Sequence, residues 1–258
     1  MNLPFPNKRI AVISITRHGI ALAGRVVAAL PGAQLYAPEK FHAEAETAAP
    51  GAAVCYAGKT GAQIPALFEH FDGIVAIVPL GAMVLMIAPY LRGKEQDTGV
   101  VVLDGAGRYA IPVLAGHLGG ANTLAEYLAH TLGALPVLTT ASDVRETLAV
   151  DLLGRELGWT FAATQQVIVR ASAAVVNENQ VALVQEAGSR DWWAHHANGR
   201  SNALPANIRL LQKIEDADPS IYGAVLSITQ RKSDALPAAL HEAIRDRLVV
   251  YTPPQEPI

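Results

Sequence analysis

The most constraining feature of the sequence is a series of short, continuous apolar runs, each followed by a turn and most of them by a stretch with helical periodicity. The runs do not alternate between apolar and polar residues, which is typical of parallel strands that are covered on both faces. Strands alternating with helices predict an α/β fold, namely an open, mostly parallel sheet with flanking helices and right-handed crossovers. The six runs are Arg9–Ile15, Gln34–Tyr36, Ile74–Val78, Val100–Leu103, Ile111–Leu114 and Leu135–Thr139.

Helical periodicity fills the longer intervals, and the clearest case is Ala121–Leu132, which carries one apolar stripe. The regular succession of apolar runs, turns and helical stretches ends after Thr140. We therefore predict an N-terminal α/β domain over residues 1–140 and a smaller α/β domain over residues 141–258. The segment Gln165–Val176 fits either a helix or a strand. The remaining predictions are helices at Gly19–Leu30, Gly61–Phe71, Ala82–Tyr90, Asp143–Leu157 and Pro237–Leu248, strands at Val181–Val184 and Tyr222–Ile228, and a surface loop at Pro38–Pro50.

Composition excludes several classes of protein. Hydrophobic residues make up 51% and the net charge is −3 without a lysine-rich arm, which predicts a globular protein that does not bind nucleic acid. The uncharged stretch Gly73–Leu91 is interrupted by two prolines, and the first apolar run is too short for a signal peptide. We therefore expect a cytoplasmic protein with no membrane association. The single cysteine, Cys55, excludes an internal disulfide, and we expect no nucleophilic role for it.

Two segments resemble nucleotide-binding motifs but have the wrong context. Between Gly51 and the Gly58-Lys59 pair there are six residues, whereas a P-loop has four, so its amides would not close around a phosphate. The segment Asp104–Ala110 has glycines at dinucleotide-fingerprint spacing, but an apolar strand follows it instead of a helix. We interpret it as a turn between strands and expect no dinucleotide cofactor.

The most informative segment is Ala115–Asn122, which leaves a strand, passes three glycines and enters a helix. Glycines allow close approach of the backbone, amides at a helix start attract anions, and His117 could transfer protons near neutral pH. A tight turn whose histidine bonds a backbone carbonyl explains the pattern equally well. Similar turns contain Arg17, His18 and Gly81. Because parallel strands end at one edge, we expect these three residues to lie beside His117.

Two further groups have a structural explanation that we prefer. Asp143 follows the last predicted strand and is better explained as a helix cap, although Thr139 and Thr140 could face a cleft with it. The string Trp192-Trp193-Ala194-His195-His196 could form a shelf for a large ring, but a loop packed by its tryptophans is the simpler interpretation.

The sequence resembles the CbiG family, the cobalt-precorrin-5A hydrolases of anaerobic cobalamin (vitamin B12) biosynthesis. The resemblance rests on Gly116–Asn122, Thr139–Asp143, Ala149-Val150-Asp151, Gly158-Trp159 and the earlier runs Ile77–Ala82 and Val101–Asp104. It implies a hydrolase that opens the δ-lactone of a cobalt-bound polycarboxylate macrocycle and releases acetaldehyde, giving cobalt-precorrin-5B. Members commonly continue into a third, C-terminal domain, whereas this sequence stops at Ile258. We expect that domain to be a separate polypeptide or to have been removed.

The reaction that the resemblance implies allows catalytic and substrate-binding roles to be assigned to particular residues. His117 is the candidate acid and base, and no protein-bound metal or cofactor is expected because cobalt arrives with the substrate. The expected partners are the corrinoid substrate and a separately encoded C-terminal-domain protein or other pathway enzymes. The alternatives are a non-catalytic corrinoid-binding or scaffold subunit and, by fold analogy, a protein that binds nucleotides or sugar phosphates. The expected substrate-binding residues are Arg17, His18, Gly81, Gly116, Gly119, Gly120, Asn122, Thr139, Thr140 and Asp143.

Overall fold

The computed structural model describes residues 8–93, 96–145, 147–193, 203–231 and 237–254. The chain divides into two compact units, residues 1–138 and residues 139–258. The boundary predicted from the sequence followed residue 140. We call them the N-terminal unit and the C-terminal unit. In both, strands alternate with helices around a mostly parallel sheet, so the predicted α/β class is confirmed.

A seven-stranded sheet forms the centre of the N-terminal unit, in the order β3-β2-β1-β4-β5-β6-β7. Strands β1 to β5 are parallel, β6 is antiparallel to β5, and β7 is parallel to β6. We call the edge at which β1 to β5 begin the amino edge and the edge at which they end the carboxyl edge. The strands are β1 (Ile10–Ser14), β2 (Gln34–Pro38), β3 (Ala53–Tyr56), β4 (Gly73–Ile77), β5 (Gly99–Leu103), β6 (Tyr109–Leu114) and β7 (Leu135–Pro136).

Helices cover both faces of this sheet. Alternate strand residues point to opposite faces, so Val12 packs on one helical layer and Ile13 on the other. Three helices supply the first layer: α1 (Arg17–Ala29), α2 (His42–Ala48) and α5 (Ala121–Leu132). The second contains α3 (Ile64–His70) and α4 (Leu80–Ile87). Burial on both faces explains the continuous apolar runs, since each fully buried Val, Leu or Ile contributes roughly 1.5–3 kcal/mol.

The segment between β2 and α3 differs from the prediction. The expected loop at Pro38–Pro50 contains helix α2, whose only fully buried residue is Ala45. Strand β3 lies within the stretch that imitates a P-loop, and it pairs with β2. Both elements are short and contain few large apolar residues, so sequence periodicity does not reveal them.

The turn between β5 and β6 determines the direction in which strand β6 runs. Asp104 closes it, because its Oδ1 accepts hydrogen bonds from the backbone amides of Arg108, at 2.6 Å, and Tyr109, at 2.9 Å. A parallel connection requires a crossover of about a dozen residues or more, which this short turn cannot provide. Strand β6 therefore runs back toward the amino edge, where Leu114 pairs with Val100 at the start of β5.

The C-terminal unit contains a five-stranded sheet in the order β10-β9-β11-β12-β8, parallel except for β8. At its core lies Tyr251, fully buried, whose hydroxyl donates to the carbonyl of Val150 at 2.7 Å. The strands are β8 (Thr160–Ala162), β9 (Val181–Gln185), β10 (Ile208–Leu211), β11 (Ala224–Ile228) and β12 (Leu248–Thr252). The helices are α6 (Ala141–Val144), α7 (Gln165–Val176) and α8 (Ala238–Ile244).

Three predictions for this unit are resolved or corrected. The ambiguous segment Gln165–Val176 is a helix, begun by Thr164, whose hydroxyl accepts from the amide of Val167. The predicted helix Asp143–Leu157 is wrong, because α6 ends at Val144 and only short 3₁₀ turns follow. The predicted terminal helix is too long: α8 ends at Ile244, and the chain then forms the unpredicted strand β12.

Candidate functional site

The segment Ala115–Gly120, which we call the glycine-histidine turn, connects β6 to α5 at the amino edge. The amide of Gly120 donates to the carbonyl of His117 at 2.9 Å, and the amide of Asn122 donates to the carbonyl of Gly116 at 3.0 Å. Ala115 has a φ of 50° and Gly120 a φ of 81°, so the backbone twice enters the left-handed region. The result is a tightly folded turn that carries the half-buried His117 side chain.

Close contacts with neighbouring side chains explain two of the three glycines. A Cβ at Gly116 would lie 2.5 Å from Oδ1 of the buried Asn122, and a Cβ at Gly119 would lie 2.4 Å from Cβ of Ala115. The third glycine, Gly120, begins α5 in the left-handed conformation. Its amide donates to the carbonyl of His117, and substrate binding by Gly120 stays a prediction. For Gly116, Gly119 and Asn122, substrate binding stays a prediction.

A residue that the sequence did not single out completes the turn. Lys8 lies immediately before β1, and its Nζ donates to the carbonyl of Gly119 at 2.7 Å. The two residues are 111 positions apart. Only the topology, which brings the start of β1 and the end of β6 to the same edge, places them in contact.

Arg17, His18 and Gly81 lie at the opposite edge. They belong to the first turns of α1 and α4, which follow the carboxyl ends of β1 and β4. A five-residue strand spans roughly 15 Å, so the sheet separates these residues from His117. The expectation that they share one rim with His117 is wrong, because β6 runs antiparallel to β1, β4 and β5.

The local surroundings of these residues do not suggest a shared pocket either. Arg17 forms an ion pair with Glu44 of α2, with 2.9 Å between Nη2 and Oε1. His18 is exposed. No heavy atom would lie within 4 Å of a Cβ at Gly81, so packing does not require a glycine there. Between α1 and α2 lies a groove of about 660 Å³, lined mainly by small residues together with Arg17, Arg25 and Glu44.

Thr139, Thr140 and Asp143 belong to the C-terminal unit. Thr140 occupies the N-cap position of α6, and its carbonyl accepts from the amide of Asp143 at 3.0 Å. Asp143 therefore lies inside the first turn, and its predicted role as the helix cap is wrong. Glu146, in the predicted helix Asp143–Leu157, lies outside the described residues. Substrate binding by Thr139, Thr140 and Asp143 stays a prediction.

The tryptophan pair has the structural role that we preferred. Trp192 is buried, and its indole N–H donates to Oε1 of Gln185 at 3.1 Å. Its ring meets that of Trp193 edge-on, with 5.8 Å between the centroids. His195 and His196 lie outside the described residues.

Two wider searches cover the described parts of the chain. Within them, histidine, cysteine, aspartate and glutamate side chains do not gather in groups of three or more that could hold a metal ion. Over the same ranges, no helix combines the length and the apolar character needed to cross a bilayer.

Comparison with known families identifies the chain. The family described as cobalamin synthesis G N-terminal matches residues 62–143, and the family described as cobalamin biosynthesis central region matches residues 148–253. The chain belongs to the CbiG family. The resemblance stated from the sequence is thereby confirmed. The glycine-histidine turn lies within the first matched range, whereas Arg17 and His18 precede it.

Two curated relatives of this CbiG chain carry the name cobalt-precorrin-5A hydrolase. The relative from Priestia megaterium is 38% identical over 94% of this chain, and the one from Salmonella typhimurium LT2 is 33% identical over 71% of it. The alignments cover 62% and 48% of these relatives, so the chain spans about half to three fifths of their length. A solved structure of a cobalamin biosynthesis protein G homolog from Sulfolobus solfataricus aligns with 95% of this chain and 60% of its own, at 20% identity and a TM-score of 0.49.

Proposed function

We propose that this chain carries cobalt-precorrin-5A hydrolase activity, opening the δ-lactone of cobalt-precorrin-5A and releasing acetaldehyde to give cobalt-precorrin-5B. The observation that carries the proposal is the 38% identity, over 94% of this chain, with a relative named for that activity. The two family matches, which follow each other along the chain in the order N-terminal and central, support it.

We place the chemistry at the glycine-histidine turn. This turn lies within the range that matches the CbiG N-terminal family, and it holds a half-buried imidazole on a backbone fixed by internal hydrogen bonds. Rigid presentation of an acid–base group is what catalysis at a defined atom requires. Arg17 and His18 lie outside that range and at the other edge of the sheet, so we assign them no part in this step.

The reaction needs two proton transfers that one imidazole can perform in sequence. In the first, neutral His117 accepts a proton from water while the water oxygen attacks the lactone carbonyl, and collapse of the tetrahedral intermediate gives a carboxylate and a free hydroxyl group. His117 gives this proton to solvent before the second step, in which it accepts the proton of that hydroxyl, the adjacent carbon–carbon bond breaks, and the ring carbon receives the electron pair and then the proton from His117. The sum is consumption of one water and release of acetaldehyde and one proton.

The charge at the amino edge suits a polycarboxylate substrate. The N-terminus of the 12-residue helix α5 carries partial positive charge. We propose that cobalt enters as part of the substrate and that the chain supplies no cofactor of its own. We also propose a cytoplasmic location.

The test is anaerobic incubation of the purified chain with cobalt-precorrin-5A, with acetaldehyde measured by NADH oxidation in the presence of alcohol dehydrogenase. The proposal predicts stoichiometric acetaldehyde. Since the chain spans 62% of the Priestia relative, the assay is repeated with the remaining part of that relative added as a separate polypeptide. Release only in the second assay would favour the alternative of a corrinoid-binding subunit. Absence of both binding and release would refute the proposal.

A further inference from the structure

The contact between Lys8 and the glycine-histidine turn has a consequence for His117. The Nζ of Lys8 lies 2.7 Å from the carbonyl oxygen of Gly119, which is a short, charge-assisted hydrogen bond in a partly buried setting. It joins the segment just before strand β1, which begins at Ile10, to the turn after β6.

The oxygen that Lys8 contacts belongs to the peptide group between Gly119 and Gly120. The nitrogen of the same peptide group, on Gly120, donates to the carbonyl of His117 at 2.9 Å. A peptide group is planar, so fixing the direction of its oxygen also fixes the direction of its N–H. Lys8 and His117 are therefore connected through a single rigid unit, with the ammonium at one end and the His117 carbonyl at the other.

The surroundings leave this peptide group little freedom on its other sides. A Cβ added to Gly99 would lie 2.7 Å from the Gly119 oxygen, so the backbone of β5 packs closely against this peptide group. Ala115, at the start of the turn, is held at a φ of 50°, which is unfavourable for a residue with a Cβ. A turn that contains a strained residue needs external contacts to stay in one conformation, and Lys8 provides a charged contact of this kind.

We propose that Lys8 is a positioning residue for His117, holding the Gly119–Gly120 peptide so that the imidazole is presented in one orientation. This inference rests on the proposed function only for its kinetic consequence. Its structural consequence, one fixed environment for the His117 ring, holds whatever the chain catalyses. A lysine that merely added stability to the fold would affect neither the ring environment nor the chemical step specifically.

The experiment compares Lys8→Met, which removes the donor, with Lys8→Arg, which keeps a charged donor. Lys59→Met is the matched control, because Lys59 is an exposed lysine that follows β3 at the carboxyl edge. The readout is the imidazole Cε1–Hε1 signal of His117 in histidine-labelled full chain, assigned by its loss in His117→Ala. We expect this signal to move or broaden in Lys8→Met, to return toward its original position in Lys8→Arg and to stay unchanged in Lys59→Met.

Kinetics provide the second readout. A misplacement of about 1 Å can reduce a rate by roughly 100-fold, so we expect kcat for acetaldehyde release to fall at least about tenfold in Lys8→Met with little change in KM. The double variant with His117→Ala should fall no further than His117→Ala alone. Lys8→Leu, which also removes the donor, replaces the methionine variant if that variant does not fold.

The outcomes separate the two proposals. An unchanged His117 signal in Lys8→Met would overturn the positioning role, whether or not the chain is active. A changed His117 signal in Lys8→Met supports the positioning role, even if the wild-type chain releases no acetaldehyde. Absence of acetaldehyde release by the wild-type chain would count against the hydrolase proposal alone.

Discussion

Gly99 offers the sharpest test of how the sheet supports the glycine-histidine turn. In Gly99→Ala the new Cβ would lie 2.7 Å from the oxygen and 3.2 Å from the carbonyl carbon of Gly119. Both are backbone atoms, so the turn itself must move by roughly half an ångström. The φ of Gly99 is not in the left-handed region, so alanine suits the backbone and the expected effect is steric.

The magnitude follows from two opposing effects. Overpacking of this kind costs about 1–3 kcal/mol, while replacing glycine by alanine stabilises by about 0.4–1 kcal/mol through the unfolded chain. We therefore expect Gly99→Ala to lower the free energy of unfolding by about 1–2 kcal/mol. The matched control is Gly73→Ala, its register partner on β4, where the new Cβ would lie 2.7 Å from Cδ1 of Ile10. That atom is the end of a flexible side chain and can rotate away, so we expect a change within about 1 kcal/mol of zero.

The assay must report on the N-terminal unit. All three tryptophans, Trp159, Trp192 and Trp193, lie in the C-terminal unit, so tryptophan fluorescence monitors only that unit. Urea unfolding of the N-terminal unit is followed by hydrogen exchange of peptides from α5. With a slope of about 2 kcal/mol per molar urea, the midpoint for the N-terminal unit in Gly99→Ala should fall by roughly 0.5–1 M. Equal stability of Gly99→Ala and Gly73→Ala would refute the close support of the turn by β5.

Three further predictions concern charge and reactivity. A hydrogen bond from the Arg9 amide lowers the pKa of Asp72, and a carboxyl group with a lowered pKa loses its stabilising effect as the pH falls. In acid denaturation, the free energy of unfolding should therefore fall less steeply for Asp72→Asn than for wild type below about pH 4. Parallel plots of this free energy against pH for the two proteins would contradict the prediction. Burial, with smaller contributions from Glu46 and Glu39, raises the pKa of the Cys55 thiol. Iodoacetamide should therefore alkylate Cys55 more slowly in the native chain than in the urea-unfolded chain at pH 7. Equal alkylation rates would contradict the raised pKa. Because Arg17 pairs with Glu44 at the carboxyl edge, Arg17→Ala should change the KM for cobalt-precorrin-5A less than twofold, and a tenfold increase would place substrate at that edge.

The sequence allowed the fold class and most strands to be predicted, because strands buried on both faces must be apolar throughout. Ala121–Leu132 was predicted with correct bounds, since its apolar stripe is uninterrupted and Gly133 ends it at a φ of 74°. Strand β3 and helix α2 were missed because neither has a strong apolar pattern. The predicted helix Pro237–Leu248 continued past Ile244, where α8 ends, and strand β12 at Leu248–Thr252 was not predicted.

The principal error in the site came from strand direction. The segment Asp104–Ala110 was interpreted as a turn between two strands, and the structure has that turn at Asp104–Arg108; a short turn already implies that β6 reverses direction. That consequence moves His117 to the edge opposite Arg17 and His18. The Lys8 contact could not be predicted, because it depends on which strands are neighbours in space and on a separation of 111 residues.

The most direct test of the central claim, that the glycine-histidine turn performs the chemistry, is acetaldehyde release by His117→Ala beside His130→Ala. His130 is an exposed histidine in the last turn of α5, the helix that this turn begins, so the pair differs in location and not in chemistry. We predict a loss of roughly 10²–10⁴-fold in kcat for His117→Ala and a change of less than about twofold for His130→Ala. Turnover by a folded His117→Ala at the wild-type rate would contradict the account and move the search for the acid–base group elsewhere in the chain.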